Sequence, residues 1–327
     1  MRVVLTGGAG YVGSHVALVL AEAGHEPIIY DNLATGHRQA ALGFPLVRGD
    51  VGDRRAVAAA LREHEADAVM HFAGLIVVSE SVREPARYYE ANLLGPLAML
   101  EAMRDAGIRR LIFSSSAAVY GEPQEIPISE EHPTRPVNTY GRTKLALEGA
   151  LESWRQAHGL GYVALRYFNA AGADPVGRLG EDHRPETHLI PNVLAVALGR
   201  RPALALYGDD YPTPDGTCIR DYVHVMDLAQ AHLLALEALE PGDGRIYNLG
   251  NARGHSVEEV VAEARRVTGH PIPVEVSPRR PGDAAALVAS AERAERELGW
   301  ERRWSDLHTI VETAWRWHRQ HPQGYQE

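Results

Sequence analysis

Cysteine occurs once in this chain, as Cys218, and lysine once, as Lys144. A lone thiol has no internal partner, which excludes a disulfide-stapled scaffold and points to a reducing, cytoplasmic setting. Long apolar runs are missing as well: none approaches the ~18 residues that a membrane span needs. Arg2 is followed by only three apolar residues before Thr6, so no secretory segment is expected. Positive charge is in deficit, with 33 basic residues against 43 acidic ones and a net charge of −10. Such a surface repels phosphate backbones, so nucleic acid is not an expected partner, and any anionic ligand must be held by a few local basic groups. What remains is ordinary for a globular protein, 45% hydrophobic and 23% charged, which excludes disorder. A length of 327 residues favours two lobes over one core.

Strand-like runs at Arg2–Thr6, Glu26–Tyr30, Pro45–Arg48, Ala68–Phe72, Arg110–Ser115 and Tyr162–Tyr167 alternate with helical patterns at Tyr11–Ala23, Arg54–His64, Ala86–Ala106 and Tyr140–His158. That alternation predicts an α/β fold, a doubly wound parallel sheet of Rossmann type covered on both faces. The rhythm breaks near Ala170, where Asn169–Glu186 reads as a loop. Helices are then expected at His188–Leu198, Met226–Leu239 and Ser256–Thr268, strands at Leu204–Tyr207, Ile246–Leu249 and Ile272–Val276, and two helices at the end. The division that follows is a nucleotide-binding region over 1–170 and a smaller α/β substrate region over 171–327, with some later elements returning to the first.

Gly7-Gly8-Ala9-Gly10-Tyr11-Val12-Gly13 contains G-x-G-x-x-G between a strand and a helix. In that setting the glycines let the backbone approach a pyrophosphate, and the helix start offers free N–H groups. Asp31, at the end of the second strand, suits ribose hydroxyls and repels a 2′-phosphate, which favours NAD over NADP. Gly49-Asp50-Val51 and His71-Phe72-Ala73-Gly74 follow the third and fourth strands, where loops line the cofactor crevice.

Tyr140 and Lys144 stand four apart at a helix start and so share a face. With 13 tyrosines among 327 residues, a randomly placed lysine would fall four after a Tyr about 4% of the time, yet the only lysine sits there. Arg would not serve where a compact ammonium is needed. To act as a base near pH 7, Tyr140 needs its pKa lowered by roughly 3 units from about 10, which a nearby ammonium and a cationic nicotinamide could supply. Ser114-Ser115-Ser116 closes the preceding strand and places a hydroxyl beside that tyrosine. No acid follows Ser116 in Ala117-Ala118-Val119, as dehydration of a sugar would require. No metal is expected: His183 and His188, five apart, read as polar loop residues. No G-x-S-x-G elbow of a hydrolase occurs.

With these motifs the chain resembles the extended short-chain dehydrogenase/reductases, in the branch that acts on nucleotide-sugars. The likeness runs nearly end to end. It takes in Gly7–Gly13, Asp31-Asn32-Leu33, His71–Gly74, Tyr88-Tyr89 before Asn92, Ser114–Gly121, Tyr140–Lys144, Arg166–Asn169, Tyr207-Gly208, Arg220–Val225, Tyr247–Gly250, Arg279–Asp283 and His321–Tyr325. The resemblance implies NAD-dependent epimerisation at C4 of a UDP-hexose, interconverting UDP-galactose and UDP-glucose, by a cytoplasmic homodimer. It makes Tyr140 the base, Lys144 its pKa tuner and ribose ligand, and Ser116 a partner of the 4-hydroxyl. It assigns the cofactor to Gly7, Gly10, Tyr11, Val12, Gly13, Asp31, Asn32, Asp50, Val51, Phe72, Ala73, Gly74, Asn92, Ser114 and Tyr167 besides Tyr140 and Lys144. The UDP-sugar falls to Asn169, His188, Leu189, Tyr207, Arg220, Tyr222, Arg280, Asp283 and Leu287 together with Ser116 and Tyr140. Ile76, Ala118, His188 and Leu287 depart from commoner family residues. Leu287 stands where some members carry Tyr, so the N-acetyl pair UDP-GlcNAc and UDP-GalNAc is expected as well. The rival readings are a dehydratase or decarboxylase of the same fold, and a non-catalytic NAD(P) sensor, against which Tyr140 and Lys144 speak. Homodimers of such chains use two helices, here Ala86–Ala106 and Tyr140–His158, with Leu94, Leu97, Leu147 and Leu151 as candidate contacts.

Overall fold

The computed structural model describes residues 1–280 and 283–326. In chain order the elements are β1 (Arg2–Thr6), α1 (Tyr11–Glu22), β2 (Glu26–Asp31), β3 (Leu46–Arg48), α2 (Arg54–Glu63), β4 (Ala68–His71), α3 (Val78–Arg83), α4 (Pro85–Tyr89), α5 (Gly95–Ala106), β5 (Arg110–Ser116), α6 (Thr139–His158), β6 (Gly161–Tyr167), β7 (Asn169–Ala171), α7 (Leu189–Ala197), β8 (Leu204–Tyr207), β9 (Ile219–His224), α8 (Val225–Ala238), β10 (Gly244–Leu249), β11 (Gly254–Ser256), α9 (Val257–Thr268), β12 (Val274–Ser277), β13 (Ala286–Leu287), α10 (Glu292–Leu298) and α11 (Leu307–Gln320).

Seven strands form one parallel sheet in the order β10-β6-β5-β4-β1-β2-β3. The chain winds outward from β1 in one direction through β2 and β3, then restarts on the other side at β4. The crevice where it reverses lies at the carboxyl ends of β1 and β4, the place where such sheets bind ligands. Val3, Val4, Leu5, Val69, Met70, Ile112 and Phe113 are fully buried because both faces are covered. Leu5, Val16 and Leu20 join Leu228, Leu236 and Tyr247 in one core, while Leu61, Met99, Met103, Leu147 and Leu151 form the other. A third core, around Ile190, Leu194, Val260, Val261 and Ile310, joins α7, α9 and α11.

The smaller sheet is built on β9, which pairs antiparallel with β11 and parallel with β13 and β7. β8 and β12 make a separate parallel pair. Three expectations are corrected here. The helix expected at Ala86–Ala106 is broken into α4, a π-helical turn over Glu90–Leu94, and α5. The loop expected from Asn169 begins with strand β7 because its backbone pairs with Tyr222–His224. Leu147 and Leu151 are 1% and 0% exposed in the core under α6, and Leu97 packs against it, so of the four proposed dimer contacts only Leu94 is exposed.

Candidate active site

The glycine loop makes its turn because Gly7 adopts φ +73°, and a Cβ there would lie 2.4 Å from the backbone nitrogen of Ala73. The loop after β1 therefore rests directly on Phe72-Ala73-Gly74 after β4. Gly13 is pressed just as closely, 2.6 Å from the Gly7 carbonyl oxygen for an added Cβ. Helix α1 begins at Tyr11 after Gly10, with no side chain capping it, so the first-turn N–H groups of Tyr11, Val12 and Gly13 face the crevice with the positive end of the helix. Asp31, almost wholly buried, accepts hydrogen bonds from the amides of Ala9 at 3.0 Å and Leu33 at 2.8 Å. Burial pushes its pKa up while those two N–H groups pull it down. Asn32 donates to Asp50 at 2.9 Å, joining the ends of β2 and β3 in one rim, and Val51 packs into the core below. An uncapped helix start over a loop with no room for side chains, beside a fixed carboxylate, fits the pyrophosphate and ribose of a dinucleotide.

Across the crevice, Lys144 is 4% exposed and donates to the carbonyl of Ser114 at 2.7 Å. Its ammonium lies 5.8 Å from the centre of the Tyr140 ring and 5.0 Å from that of Phe113. Burial lowers its pKa to about 8, against the pull of Glu148. Tyr167 donates to the Ser114 hydroxyl. Asn92, in the π-helical turn, grips both backbone groups of Leu75 at 2.8 and 2.9 Å, and an added Cβ on Gly74 would lie 2.9 Å from its amide oxygen. Ser116 accepts from the Ala118 amide at 3.1 Å. Helix α6 reaches this strand end because residue 141 is glycine, whose Cβ would stand 2.3 Å from the Ala118 carbonyl. Tyr140, Lys144 and Ser116 are thus brought together. The protein alone does not depress Tyr140: burial raises its pKa, and only the Ser116 hydroxyl lowers it. Lys144 directs one of its three N–H groups at the Ser114 carbonyl and lies 5.8 Å from the Tyr140 ring centre, so the expected lowering is not produced by the protein's own groups.

The remaining predicted residues lie around β9. Asn169 pairs with Tyr222, which is 4% exposed. Arg220 donates to the carbonyls of Ile219 and Ala284 at 2.9 Å and lies 3.7 Å from Asp283. The Arg280 guanidinium stacks 3.8 Å over the Tyr207 ring. Pro281 and Gly282, between these charges, lie outside the described residues. Leu287, in register with Arg220, packs beside Phe168 on the cluster of Ala117, Val119, Tyr120 and Ile128, on the turn that follows Ser116. Ile76 is exposed. Leu189 opens α7, and His188 before it turns its Nδ1 to Glu181 at 2.8 Å and Glu186 at 3.0 Å, so its ring is engaged by carboxylates.

Sequence reasoning missed two groups. Glu148, four after Lys144 on the same face of α6, accepts from Ser115 at 2.6 Å and from Arg166 at 2.9 and 2.5 Å, all buried. Its spacing from Lys144 was the available signal. Glu181, His183, Glu186 and His188 also gather at one point. Burial disfavours protonation of the two imidazoles, but the carboxylates outweigh it and lift His183 to about 9 and His188 to about 10.

Fold and site together define an NAD-using enzyme of nucleotide-sugars, and the chain belongs to the NAD dependent epimerase/dehydratase family, whose model matches residues 3–250. Among its relatives is the UDP-glucose 4-epimerase of Halalkalibacterium halodurans, 53% identical over 99% of this chain and 98% of the relative. The UDP-glucose 4-epimerase of Brucella ovis, solved in complex with NAD, is 48% identical with a TM-score of 0.93, covering 96% of this chain and 97% of that one. The enzyme of Bifidobacterium longum, solved with NAD+ and UDP, is 39% identical with a TM-score of 0.95, covering 99% and 100%.

Proposed function

We infer that this chain is an enzyme that epimerises UDP-hexoses at C4, interconverting UDP-glucose and UDP-galactose on resident NAD. The observation that carries this is the convergence of Tyr140, Lys144 and Ser116 at the end of β5, across the crevice from the uncapped start of α1. NAD, when bound, would supply the hydride acceptor and donor for C4. Gly7, Gly10, Gly13 and the first-turn amides of α1 hold its pyrophosphate, and Asp31, Asn32 and Asp50 its adenosine side. Phe72, Ala73, Gly74, Asn92, Ser114, Tyr167 and Lys144 frame its other half. Tyr140 accepts the proton of the 4-hydroxyl, and Ser116 holds that hydroxyl in place. Arg220 and Arg280 anchor the pyrophosphate of UDP, with Asn169, Tyr207, Tyr222 and Asp283 around it. Anchored by its nucleotide, the sugar can present either face.

The division at residue 170 gives these two tasks to two regions, cofactor first and substrate second. The turn after Ser116 offers no acid, which disfavours a dehydratase. The lone cysteine supports a cytoplasmic setting, and no described helix is long and apolar enough to cross a membrane. A C2 homodimer through α3, α4 and the π-helical turn would cover Val82 and Leu94, 63% and 59% exposed. Light scattering should then give twice the 35.8 kDa chain mass; a monomer at micromolar concentration contradicts the pairing. The purified protein should convert UDP-galactose to UDP-glucose without added NAD, and Tyr140→Phe should slow it by roughly 10²–10⁴-fold. No conversion even with NAD supplied would defeat the reading.

A further inference from the structure

The loop between β7 and α7 carries a cluster that the proposed reaction does not use. Glu181 is buried and Glu186, His183 and His188 half-buried, and one ligand atom of each lies within 4.8 Å of the other three. The His183 Nδ1 stands 3.1 Å from Glu181 and 3.6 Å from Glu186; the His188 Nδ1 stands 2.8 Å and 3.0 Å from the same two carboxylates. The two imidazole nitrogens thus face one oxygen of Glu181 and both oxygens of Glu186. Donors placed ~2.0–2.2 Å from a tetrahedral zinc ion stand about 3.3–3.6 Å apart, against 2.8–3.6 Å for the four nitrogen–oxygen pairs here.

Three further observations bear on what belongs there. The His183 Nδ1 is buried and makes no hydrogen bond that meets geometric limits, although a carboxylate oxygen is 3.1 Å away. Glu181 is 4% exposed, so its carboxylate is held away from water inside the loop. A groove of about 320 Å³ opens beside the cluster, lined by Glu181, His183 and Glu186 and also by Arg184, Arg200 and Arg201. We propose that Glu181, His183, Glu186 and His188 form a binding site for one divalent first-row metal ion, zinc foremost, that clasps the loop before α7. Imidazole nitrogen selects against magnesium and calcium, which take oxygen ligands. The clasp is placed to hold two binding regions in position. The His183 ring meets the Tyr11 ring edge-on at 6.2 Å, beside the glycine loop, and His188 immediately precedes Leu189 of α7. The ion has no part in the hydride chemistry. It fixes the segment against which both ligands are bound.

The test is titration of the chelator-stripped, full-length, NAD-containing protein with ZnCl2, followed by calorimetry, and with CoCl2, followed by visible absorption. One zinc per chain is expected, not displaced by excess Mg2+, and Co2+ should give the intense d–d bands of a four-coordinate site. Loss of a partner one shell further out already weakens metal sites by roughly 10–100-fold, so His183→Gln and Glu181→Gln should each weaken zinc by at least about 100-fold. His270→Gln, at an exposed histidine, should change nothing. If Glu181→Gln fails to fold, His183→Gln and the cobalt spectrum of the unaltered protein decide. No stoichiometric zinc, binding indifferent to His183→Gln, or only the pale spectrum of hydrated Co2+ overturns the proposal and leaves the cluster a set of ion pairs.

Discussion

Removal of Glu148 tests how the catalytic strand end is held. Glu148 and Arg166 are each 5% exposed in their side chains, and the carboxylate is shared between the guanidinium and the Ser115 hydroxyl. Arg166 also donates to Tyr120 at 2.9 Å, and Tyr120 to Asn248 at 2.6 Å, so the pair ties α6 to β5, β6 and β10. Glu148→Ala strands a buried guanidinium, an error that costs about 3–5 kcal/mol. For a chain of 327 residues that lowers Tm by about 4–7 °C. Glu148→Gln, which keeps an acceptor for one partner, should lose less. Ser115 lies between the serine that receives Lys144 and the one beside Tyr140, so loosening it should cut kcat by ~10–100-fold. Glu148 also supports the Lys144 ammonium, so its loss should move the alkaline limb of the pH profile to lower pH. The assays are thermal unfolding and kcat/KM against pH for wild type, Glu148→Ala and Glu148→Gln. A Glu148→Ala protein with unchanged Tm and pH profile would refute the reasoning.

Three further outcomes follow from the same geometry. Lys144→Arg keeps the charge but should lose most activity, since a guanidinium does not fit the space between Ser114, Phe113 and Tyr140; near wild-type turnover contradicts this. With burial lowering Lys144 from 10.5 to about 8, kcat/KM should fall as pH rises through about 8 and the ammonium is lost. The stability term has the opposite sign: burying the ammonium costs about 3 kcal/mol below pH 8, a cost relieved as pH climbs toward 10.5, so urea unfolding should show this contribution firming where activity fades. Leu287→Tyr, on the cluster beside Ser116, should lower kcat/KM for UDP-GlcNAc far more than for UDP-glucose; a variant that handles both as before places the gate elsewhere.

The main sheet was legible because its strands are buried on both faces and read as apolar runs, as in Arg2–Thr6 and Arg110–Ser116. The catalytic pair was legible from the single lysine and its spacing from Tyr140. β9 was not recognised as a strand because Arg220 and Asp221 interrupt its apolar pattern. The fold accommodates Asp221 only through the amides of Asn251, Ala252 and Ala289, all distant in sequence. The break of the long helix at Glu90–Leu94 did carry a signal, Gly95-Pro96, since a proline has no N–H to bond back four residues and its ring crowds the preceding turn. The four metal-ligand candidates fell in a Gly- and Pro-rich stretch without periodicity, where only the folded path of the loop brings two glutamates to two histidines.

The central claim is that the hydrogen leaving C4 returns to C4 within one site. UDP-galactose carrying deuterium at C4 should be turned over in ordinary water with no NAD added, and the UDP-glucose analysed by mass and NMR. The account predicts full retention of deuterium at C4 of the inverted product, with Tyr140→Phe yielding almost none of that product. Loss of the label to solvent, or its appearance at another carbon, would contradict it.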